Sequence, residues 1–228
     1  MSRLKSTGES ARVTISRAAL ELFSTKGYDA TGIREIGALA GVSSSVLYHY
    51  LDSKSDALHE LVLDGLERHL RASELATGSV ELPEEKLAAL IGVQVVVPVL
   101  HPQMSSLLQP GVDVRGWGDR LGIQDLRDRT LKVWTEVLAD GRAQDIFDFE
   151  SVPIVRSALV RSATQLNQWY RPDGEIALEQ LILQFVDFGF GAVRARRNRR
   201  ILRAANLKHP SPAEIIANVE RAHADAWW

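Results

Sequence analysis

The chain contains no cysteine, which excludes a disulfide framework, a thiolate metal site and a cysteine nucleophile. It also lacks a long hydrophobic run, because the most apolar stretch, residues 87–100, is too short to span a bilayer and is interrupted by Gln94 and Pro98. The first ten residues are polar and lack the apolar core of a signal peptide. We therefore expect a cytoplasmic protein with no membrane partner.

Positive charge is also scarce, since the formal net charge is −2 and the pI is about 6.3. This balance excludes a protein that holds nucleic acid by bulk electrostatic attraction alone. The charge is unevenly spread: residues 1–54 have seven basic and five acidic side chains, a net of +2, and the remainder has a net of −4. Six arginines between Arg194 and Arg203 form a basic cluster, without which that remainder would carry −10.

The remaining composition is that of a globular protein, with 45% apolar and 25% charged residues over 228 positions. Apolar residues recur at helical spacing almost throughout, which predicts an all-α fold with a small N-terminal three-helix unit and a larger helical body. The helices predicted in the body cover about 54–76, 84–100, 124–139, 151–170 and 176–206, and another follows Pro212. Val95, Val96 and Val97 alone would suit a strand, but no partner strand is predicted nearby.

The strongest motif is in residues 31–50, TGIREIGALAGVSSSVLYHY, where two short helices meet through a tight turn. Thr31 is a suitable N-cap for the first helix and Ser43 for the second. Gly41 supplies the positive φ that the turn needs, and Gly37, one turn earlier, allows the helices to approach closely. In a helix-turn-helix the second helix enters the major groove with its N-terminal residues nearest the bases. A purely structural corner is the alternative, but the agreement of caps, glycines and apolar spacing favours DNA binding.

This segment resembles the TetR family of bacterial transcriptional repressors. The resemblance runs from Arg12 to Leu58 and includes ALELF at 19–23, KGYDAT at 26–31 and LYHY at 47–50. It implies a DNA-binding helix-turn-helix domain in residues 1–54 and a ligand-binding and dimerisation domain in residues 55–228. It also implies a homodimeric repressor that leaves a palindromic double-stranded DNA operator when a small hydrophobic or acyl-CoA-type effector binds. The positions that match the family's DNA contacts are Thr31, Arg34, Ser44, Ser45, Tyr48, His49 and Lys54.

The chain departs from the family pattern in three places within the motif. Gly32 stands where a hydroxyl residue is common, Gly37 where alanine is usual, and Ser44-Ser45 where a basic residue and glycine are frequent. These differences concern the phosphate contact at position 32 and the base preference, and the fold is unaffected by them.

A second segment, NQWYRPDG at 167–174, is similar to one found in a TetR subgroup that answers acyl-CoA thioesters. An aromatic helix end closed by a Pro-Gly turn is an equally good interpretation of Trp169 and Tyr170. An apolar pocket with a few polar groups would suit a large amphipathic effector, and burial in the core is the alternative for each candidate taken singly. The candidate effector contacts are His101, Met104, Leu107, Leu108, Trp117, Trp134, Leu138, Asn167, Trp169 and Tyr170.

The predicted helix from Ile176 carries phenylalanines beside small Gly189, Gly191 and Ala192, so it and the helix from Ser151 could pair with their copies across a two-fold axis. Burial within one subunit is the alternative, and the family resemblance favours a dimer. The arginine cluster would then surround the far end of this helix. Three interpretations of the cluster remain open: a solvated helix end, ion pairs with the acidic body, or a binding site for an anionic ligand.

Enzyme motifs are incomplete. His59-Glu60 begins like a zinc-protease helix, but Leu63 occupies the position of the second histidine. Gly189-Phe190-Gly191 has no strand before it, as a dinucleotide-binding loop would require. We predict no catalytic residue, no metal site and no cofactor. A helical protein-interaction module or a small helical enzyme without DNA binding is the alternative function.

Overall fold

The computed structural model describes the backbone of residues 2–108 and 122–228 and the side chains of residues 11–108 and 122–228. The fold is all-α, as predicted, apart from one small hairpin. The helices are α1 (Ser2–Thr25), α2 (Ile33–Leu39), α3 (Ser44–Tyr50), α4 (Lys54–Gly78), α5 (Pro83–Leu100), α6 (Pro102–Leu108), α7 (Ile123–Ala143), α8 (Val152–Ser162), α9 (Leu166–Trp169), α10 (Leu178–Ala192) and α11 (Pro212–Ala222). Strands β1 (Arg196–Arg197) and β2 (Arg200–Ile201) form the hairpin, and Ala204–Asn206 is a 3₁₀ turn.

The first three helices form a small core around Ile15, Phe23, Ile36 and Leu47, which we call the head. The turn between α2 and α3 closes as a Schellman motif, with Gly41 at φ 66°. The N–H of Gly41 donates to Ala38 O and the N–H of Val42 donates to Gly37 O, at 3.2 and 3.1 Å. The sequence prediction for this turn is confirmed.

Helix α4 passes through two hydrophobic cores. Its first half contributes Leu58 and Leu61 to the head core, and its second half contributes Ala72 and Ala76 to the core of the body. Between these halves Gly65 allows α6 to come close, since a Cβ built on it would lie 2.7 Å from Met104 Sδ. One continuous helix therefore joins the head to the body.

Helix α5 is the central helix of the body. Every side chain from Leu87 to Val97 except that of Gln94 is buried, and α4, α7, α10 and α11 pack around it. Its three consecutive valines are helical, because burial on all sides outweighs the preference of β-branched residues for strands. Among the described residues no single helix could cross a membrane by length and apolarity; only α5 and α6 taken together, bent by 114°, meet that test.

The long helix predicted from Ile176 to Asn206 is wrong, because α10 ends at Ala192. Arg194 adopts φ 48°, and the N–H groups of Arg194 and Ala195 donate to Gly191 O and Phe190 O in a second Schellman motif. The basic cluster then forms the hairpin, in which Arg196 pairs with Ile201 and Arg197 with Arg200. Asn198 and Arg199 turn it with φ 52° and 64°, as a two-residue hairpin loop requires. The arginines therefore do not surround a helix.

Three other boundaries differ from the prediction. The helix expected over 151–170 is broken between Ser162 and Leu166. The N-cap of α2 is Gly32, whose N–H donates to the Glu35 carboxylate at 2.9 Å, and not Thr31. The helix predicted over 124–139 continues to Ala143 and includes Gly141, on which a Cβ would lie 2.0 Å from ring carbons of Phe147, so this glycine serves close packing inside the helix.

Candidate DNA-reading surface and effector cavity

Helix α3 has a polar exposed face, and one leucine on its opposite face packs into the head core. Leu47 is buried in the head core, whereas Ser44, Ser45, Tyr48 and His49 are exposed. The hydroxyl of Ser43 caps the helix by accepting from the N–H of Val46 at 3.4 Å. The exposed residues at the start of α3 are thus arranged as the first turn of a recognition helix requires.

The side chains of Thr31 and Lys54 both make hydrogen bonds within the chain. The hydroxyl of Thr31, only 3% exposed, donates to Gly27 O at 2.7 Å. The ammonium of Lys54 donates to Tyr28 O at 2.8 Å and lies 4.2 Å from the centre of the Tyr28 ring. Both side chains hold the loop 27–31 that joins α1 to α2. The structure does not place their polar atoms on the exposed surface of α3.

The N-terminus of α2 carries exposed Arg34 beside an ion pair. Lys26 Nζ lies 2.7 Å from Glu35 Oε1, and the hydrogen bond from Lys26, followed by that from the Gly32 N–H, lowers the pKa of Glu35. Glu35 therefore stays ionised and keeps the end of α2 closed, while the guanidinium of Arg34 remains at the surface. Two apolar side chains that the sequence does not single out are exposed on these helices, Leu39 on α2 at 49% and Val46 on α3 at 36%.

The body contains a cavity of about 350 Å³. Its walls come from five helices, with α4 contributing at one side and α8 at the other, and α5, α6 and α7 between them. The lining residues are Leu66, His69, Gln94, Val97, Pro98, Ser105, Leu108, Arg127, Thr130, Leu131, Arg156, Ser157, Val160, Arg161, Ala163 and Thr164. The cavity is mainly apolar and has a few polar groups, as small-molecule sites in proteins usually have.

Two polar groups in the cavity wall are paired with each other. Gln94 Nε2 and His69 Nε2 lie 3.3 Å apart. Burial, with a smaller contribution from the nearby His223, lowers the pKa of His69 to about 4. His69 is therefore neutral near pH 7, so its ring presents one donor and one acceptor.

Three arginines also line the cavity: Arg127 on α7, and Arg156 and Arg161 on α8. Arg156 donates to the hydroxyl of Thr135 at 2.7 Å. None of the three pairs with a carboxylate among the described residues. Three guanidinium groups therefore lie in the wall of one cavity.

Of the predicted effector contacts that the structure describes, only Leu108 lines this cavity. Trp134 and Leu138 are fully buried in the body core, Met104 and Leu107 pack in the head core, and His101 stacks on His223. Tyr170 is buried and its hydroxyl donates to Ile176 O, Asn167 is half-buried, and Trp169 is 54% exposed. Trp117 lies outside the described residues.

The polar lining of the cavity was not predicted from the sequence, although the sequence contains one signal for it. Gln94 interrupts an otherwise apolar run, and a polar side chain in a helix that is buried all round needs a partner. His69 and the three arginines stand among many charged residues on amphipathic helices, where nothing in the sequence distinguishes them. Among the described residues no cluster of three His, Asp or Glu side chains could hold a metal ion.

Comparison with known proteins agrees with this architecture. Residues 15–61 match the family described as bacterial regulatory proteins, tetR family, and residues 81–193 match the tetracyclin repressor-like C-terminal domain. The chain belongs to the TetR family. As a TetR-family transcriptional regulator it is not an enzyme, so the alternative of a small helical enzyme is wrong.

Individual relatives cover most of the chain. The HTH-type transcriptional repressor KstR2 of Mycobacterium tuberculosis is 25% identical over 197 residues, which are 85% of this chain and 98% of the relative. A solved structure of a TetR-family regulatory protein from Rhodococcus RHA1 superposes with a TM-score of 0.74 at 22% identity, over 82% of this chain and 98% of that one. AibR in complex with isovaleryl coenzyme A and operator DNA has a TM-score of 0.63 at 18% identity, over 78% and 97%. These structures share the TetR fold with the present chain.

Proposed function

We propose that this TetR-family chain is a dimeric repressor whose effector is an amphipathic anion of the acyl-CoA type, bound in the cavity between α4 and α8. The observation that carries the proposal is the combination of an apolar cavity with Arg127, Arg156 and Arg161. Guanidinium groups bind phosphate and carboxylate oxygens through paired hydrogen bonds. A cavity of about 350 Å³ suits the acyl part of a thioester better than the whole molecule. The phosphates would then lie towards Arg161, which is exposed.

One relative supports a coenzyme A thioester as effector, and another indicates a ketosteroid. One neighbour in fold, AibR, is described in complex with isovaleryl coenzyme A and operator DNA. KstR2 is described as a ketosteroid transcriptional regulator. The paired His69 and Gln94 in the cavity wall are suited to a neutral hydrogen-bonding group, such as the carbonyl of a thioester or of a ketone.

The exposed apolar residues support a dimer formed by α8 and α10. Ile154 on α8 is 72% exposed, and Leu183 and Phe188 on α10 are 37% and 58% exposed. The side chains of the two helices approach each other at one point, since a Cβ on Gly189 would be 3.5 Å from Leu159 Cδ2. Exposed apolar side chains grouped on one part of a surface are typical of a protein interface. Two heads related by a two-fold axis would read half-sites about 34 Å apart.

Within each head, we assign base reading to Ser44, Ser45, Tyr48 and His49, and phosphate binding to Arg34. Thr31 and Lys54 would act indirectly by holding the loop 27–31 in place. This assignment separates the predicted contacts into exposed groups that meet DNA and paired groups that shape the head.

The decisive experiment measures operator binding and effector response together. The wild-type chain would first select a duplex from a random library, and its affinity for that duplex would be measured with acyl-CoA thioesters from acetyl to palmitoyl. We expect one range of chain lengths to weaken the complex at least tenfold. Arg161→Ala should reduce the response without changing operator affinity in the absence of thioester. Lys132→Ala, a change at an exposed site on α7, is the matched control.

Two results would contradict the proposal. If no duplex is selected at low salt, the chain is not a DNA-binding repressor. If a duplex is selected but no thioester binds or weakens the complex, the acyl-CoA class is wrong. The dimer is tested separately by sedimentation: Phe188→Glu should give monomers, whereas Ile201→Glu, at an exposed site on the hairpin, should not.

A further inference from the structure

The segment after α11, Asp225–Trp228, lies across the junction between the head and the body, and we call it the clasp. It lies outside both stretches that match the family descriptions, 15–61 and 81–193. Trp227 and Trp228 are partly buried against the core of the head. A main-chain bond from the Ala226 N–H to His223 O, 2.8 Å long, turns the chain back towards α4.

On the α4 side, the clasp is held by an arginine that is almost wholly buried. Arg68, 8% exposed, binds Asp64 at 2.8 Å and Asp225 at 2.6 Å. The indole N–H of Trp228 donates to the same Asp64 at 2.5 Å. The guanidinium of Arg68 also lies 5.8 Å from the centre of the Trp228 ring, within range of a cation–π interaction.

On the head side, Arg17 of α1 donates its Nε hydrogen to the carbonyl oxygen of Trp227. This bond connects α1, which carries much of the head core, to a segment that is fixed on α4. The clasp therefore joins two helices whose relative angle determines where α2 and α3 point.

Aromatic rings extend the same contact towards the body. His101, at the end of α5, stacks on His223 of α11 with ring centres 4.2 Å apart. Trp228 meets both rings edge-on, at 5.0 and 5.7 Å. Burial is the main cause that lowers the pKa of both histidines, so the stacked pair is neutral near pH 7.

The clasp and the effector cavity share about one and a half turns of α4. Leu66 and His69 line the cavity, while Asp64 and Arg68 hold the clasp. A ligand that displaces the cavity side of this segment must also move the carboxylate and guanidinium to which Trp228 and Asp225 are bound.

We propose that the clasp positions α1 on α4 and so sets the orientation of the DNA-reading head. Because the same segment of α4 lines the effector cavity, the clasp also couples that orientation to the cavity. Trp228, Asp225 and Arg68 are positioning residues and do not touch DNA. The coupling part of this inference depends on the proposed effector, whereas the positioning part depends only on DNA binding.

The test compares Trp228→Ala and Trp228→Phe with Ile201→Ala, which removes an exposed apolar side chain from the hairpin and leaves the clasp intact. We expect Trp228→Ala to weaken binding to the selected duplex about tenfold, equivalent to about 1.4 kcal/mol. Trp228→Phe keeps a ring but loses the bond to Asp64, so its effect should be intermediate. Ile201→Ala should bind as wild type does.

Amide hydrogen exchange distinguishes positioning from a general loss of stability. In Trp228→Ala we expect faster exchange in residues 11–25 of α1 and unchanged exchange in α10. Unchanged exchange in α1 together with wild-type affinity would overturn the proposal. Equally faster exchange in α1 and α10 would overturn it as well, because the segment would then stabilise the whole fold and not the head in particular.

The coupling is measured with the thioester that acts on the wild-type chain. Calorimetry should show unchanged thioester binding to Trp228→Ala, while the ratio of operator affinities without and with thioester should fall to within about twofold of one. A ratio equal to that of wild type would overturn the coupling. If no thioester acts on wild type, the effector proposal fails, and affinity and hydrogen exchange still decide whether the clasp positions the head.

Discussion

The basic hairpin provides a sharp prediction, because Arg197 alone of its arginines pairs with a buried carboxylate among the described residues. Arg197 donates two hydrogen bonds to the Glu84 carboxylate, the one from a terminal nitrogen being 2.8 Å long. Glu84 lies at the start of α5 and its side chain is 2% exposed, whereas that of Arg197 is 37% exposed. Replacing Arg197 with alanine therefore leaves a buried carboxylate without its cation.

The expected cost follows from that burial. Removing one partner of a buried ion pair typically costs about 3–5 kcal/mol. Because Arg197 is partly exposed, water can enter the space that the side chain leaves and hydrate Glu84. We therefore expect Arg197→Ala to lower the free energy of unfolding by about 2–3 kcal/mol. Arg199→Ala, in the exposed hairpin turn, should change it by less than about 0.5 kcal/mol.

Urea denaturation followed by circular dichroism measures the free energy of unfolding of both variants. The comparison requires that this free energy falls with urea concentration at the same slope in each. Glu84→Gln combined with Arg197→Ala completes a double-mutant cycle. Removing the charge first should make the loss of Arg197 much less costly, with a coupling of about 1–2 kcal/mol. Equal stability of the two single arginine variants, or a coupling near zero, would refute the argument that this pair anchors the hairpin to α5.

Further predictions concern the turn, the packing, pH and salt. Gly41→Ala should lower the free energy of unfolding by about 1–2 kcal/mol, because φ is 66° there. Gly37→Ala should leave it nearly unchanged, since only the end of the Leu47 side chain must move, and thermal unfolding compares the two variants. Gly141→Ala should cost at least about 2 kcal/mol because the Phe147 ring leaves no room, and the same assay measures it. The folded pKa of His69, about 4, is below its unfolded value, so stability should fall as the pH drops from about 6.5 towards 4. For His69 this loss is on the order of 1–2 kcal/mol between pH 7 and 5, and His69→Gln should reduce it in denaturation curves. Arg34→Ala should lower the salt dependence of operator binding by about one counterion per head, as binding titrations at several salt concentrations would show.

The head could be predicted closely because its signals are local. Gly41 and Ser43 determine a turn and a cap within a few residues, and the structure places both as expected. The predicted N-cap of α2 is wrong by one residue. The Thr31 hydroxyl donates to Gly27 O, and the Glu35 carboxylate accepts from the Gly32 N–H, so Gly32 takes the N-cap position.

The body could be predicted in its helices but not in how they end or what they enclose. Nothing in the sequence distinguishes Arg194 as a residue with positive φ, because glycine and asparagine usually fill that position. The helical spacing therefore predicts a helix that continues through the arginines. The cavity depends on which faces of five helices meet, and no spacing along the chain contains that information. Spacing along the chain consequently does not distinguish a cavity residue from a core residue, and Trp134 is fully buried in the body.

The path of α4 gives a physical reason why a small ligand would suffice to release DNA. Its contact with α6 at Gly65 can serve as a pivot, because Gly65 has no side chain and its backbone packs directly against Met104. Leu66 and His69 lie just beyond this point in the cavity wall, and Lys54 lies eleven residues before it, at the edge of the head. Eleven residues of helix span about 16 Å, so a tilt of about 5° would move the head end by about 1.4 Å. Hydrogen bonds to bases and phosphates weaken steeply over such a distance. With two heads set at a fixed spacing in a dimer, such a tilt in each would misalign both half-sites at once.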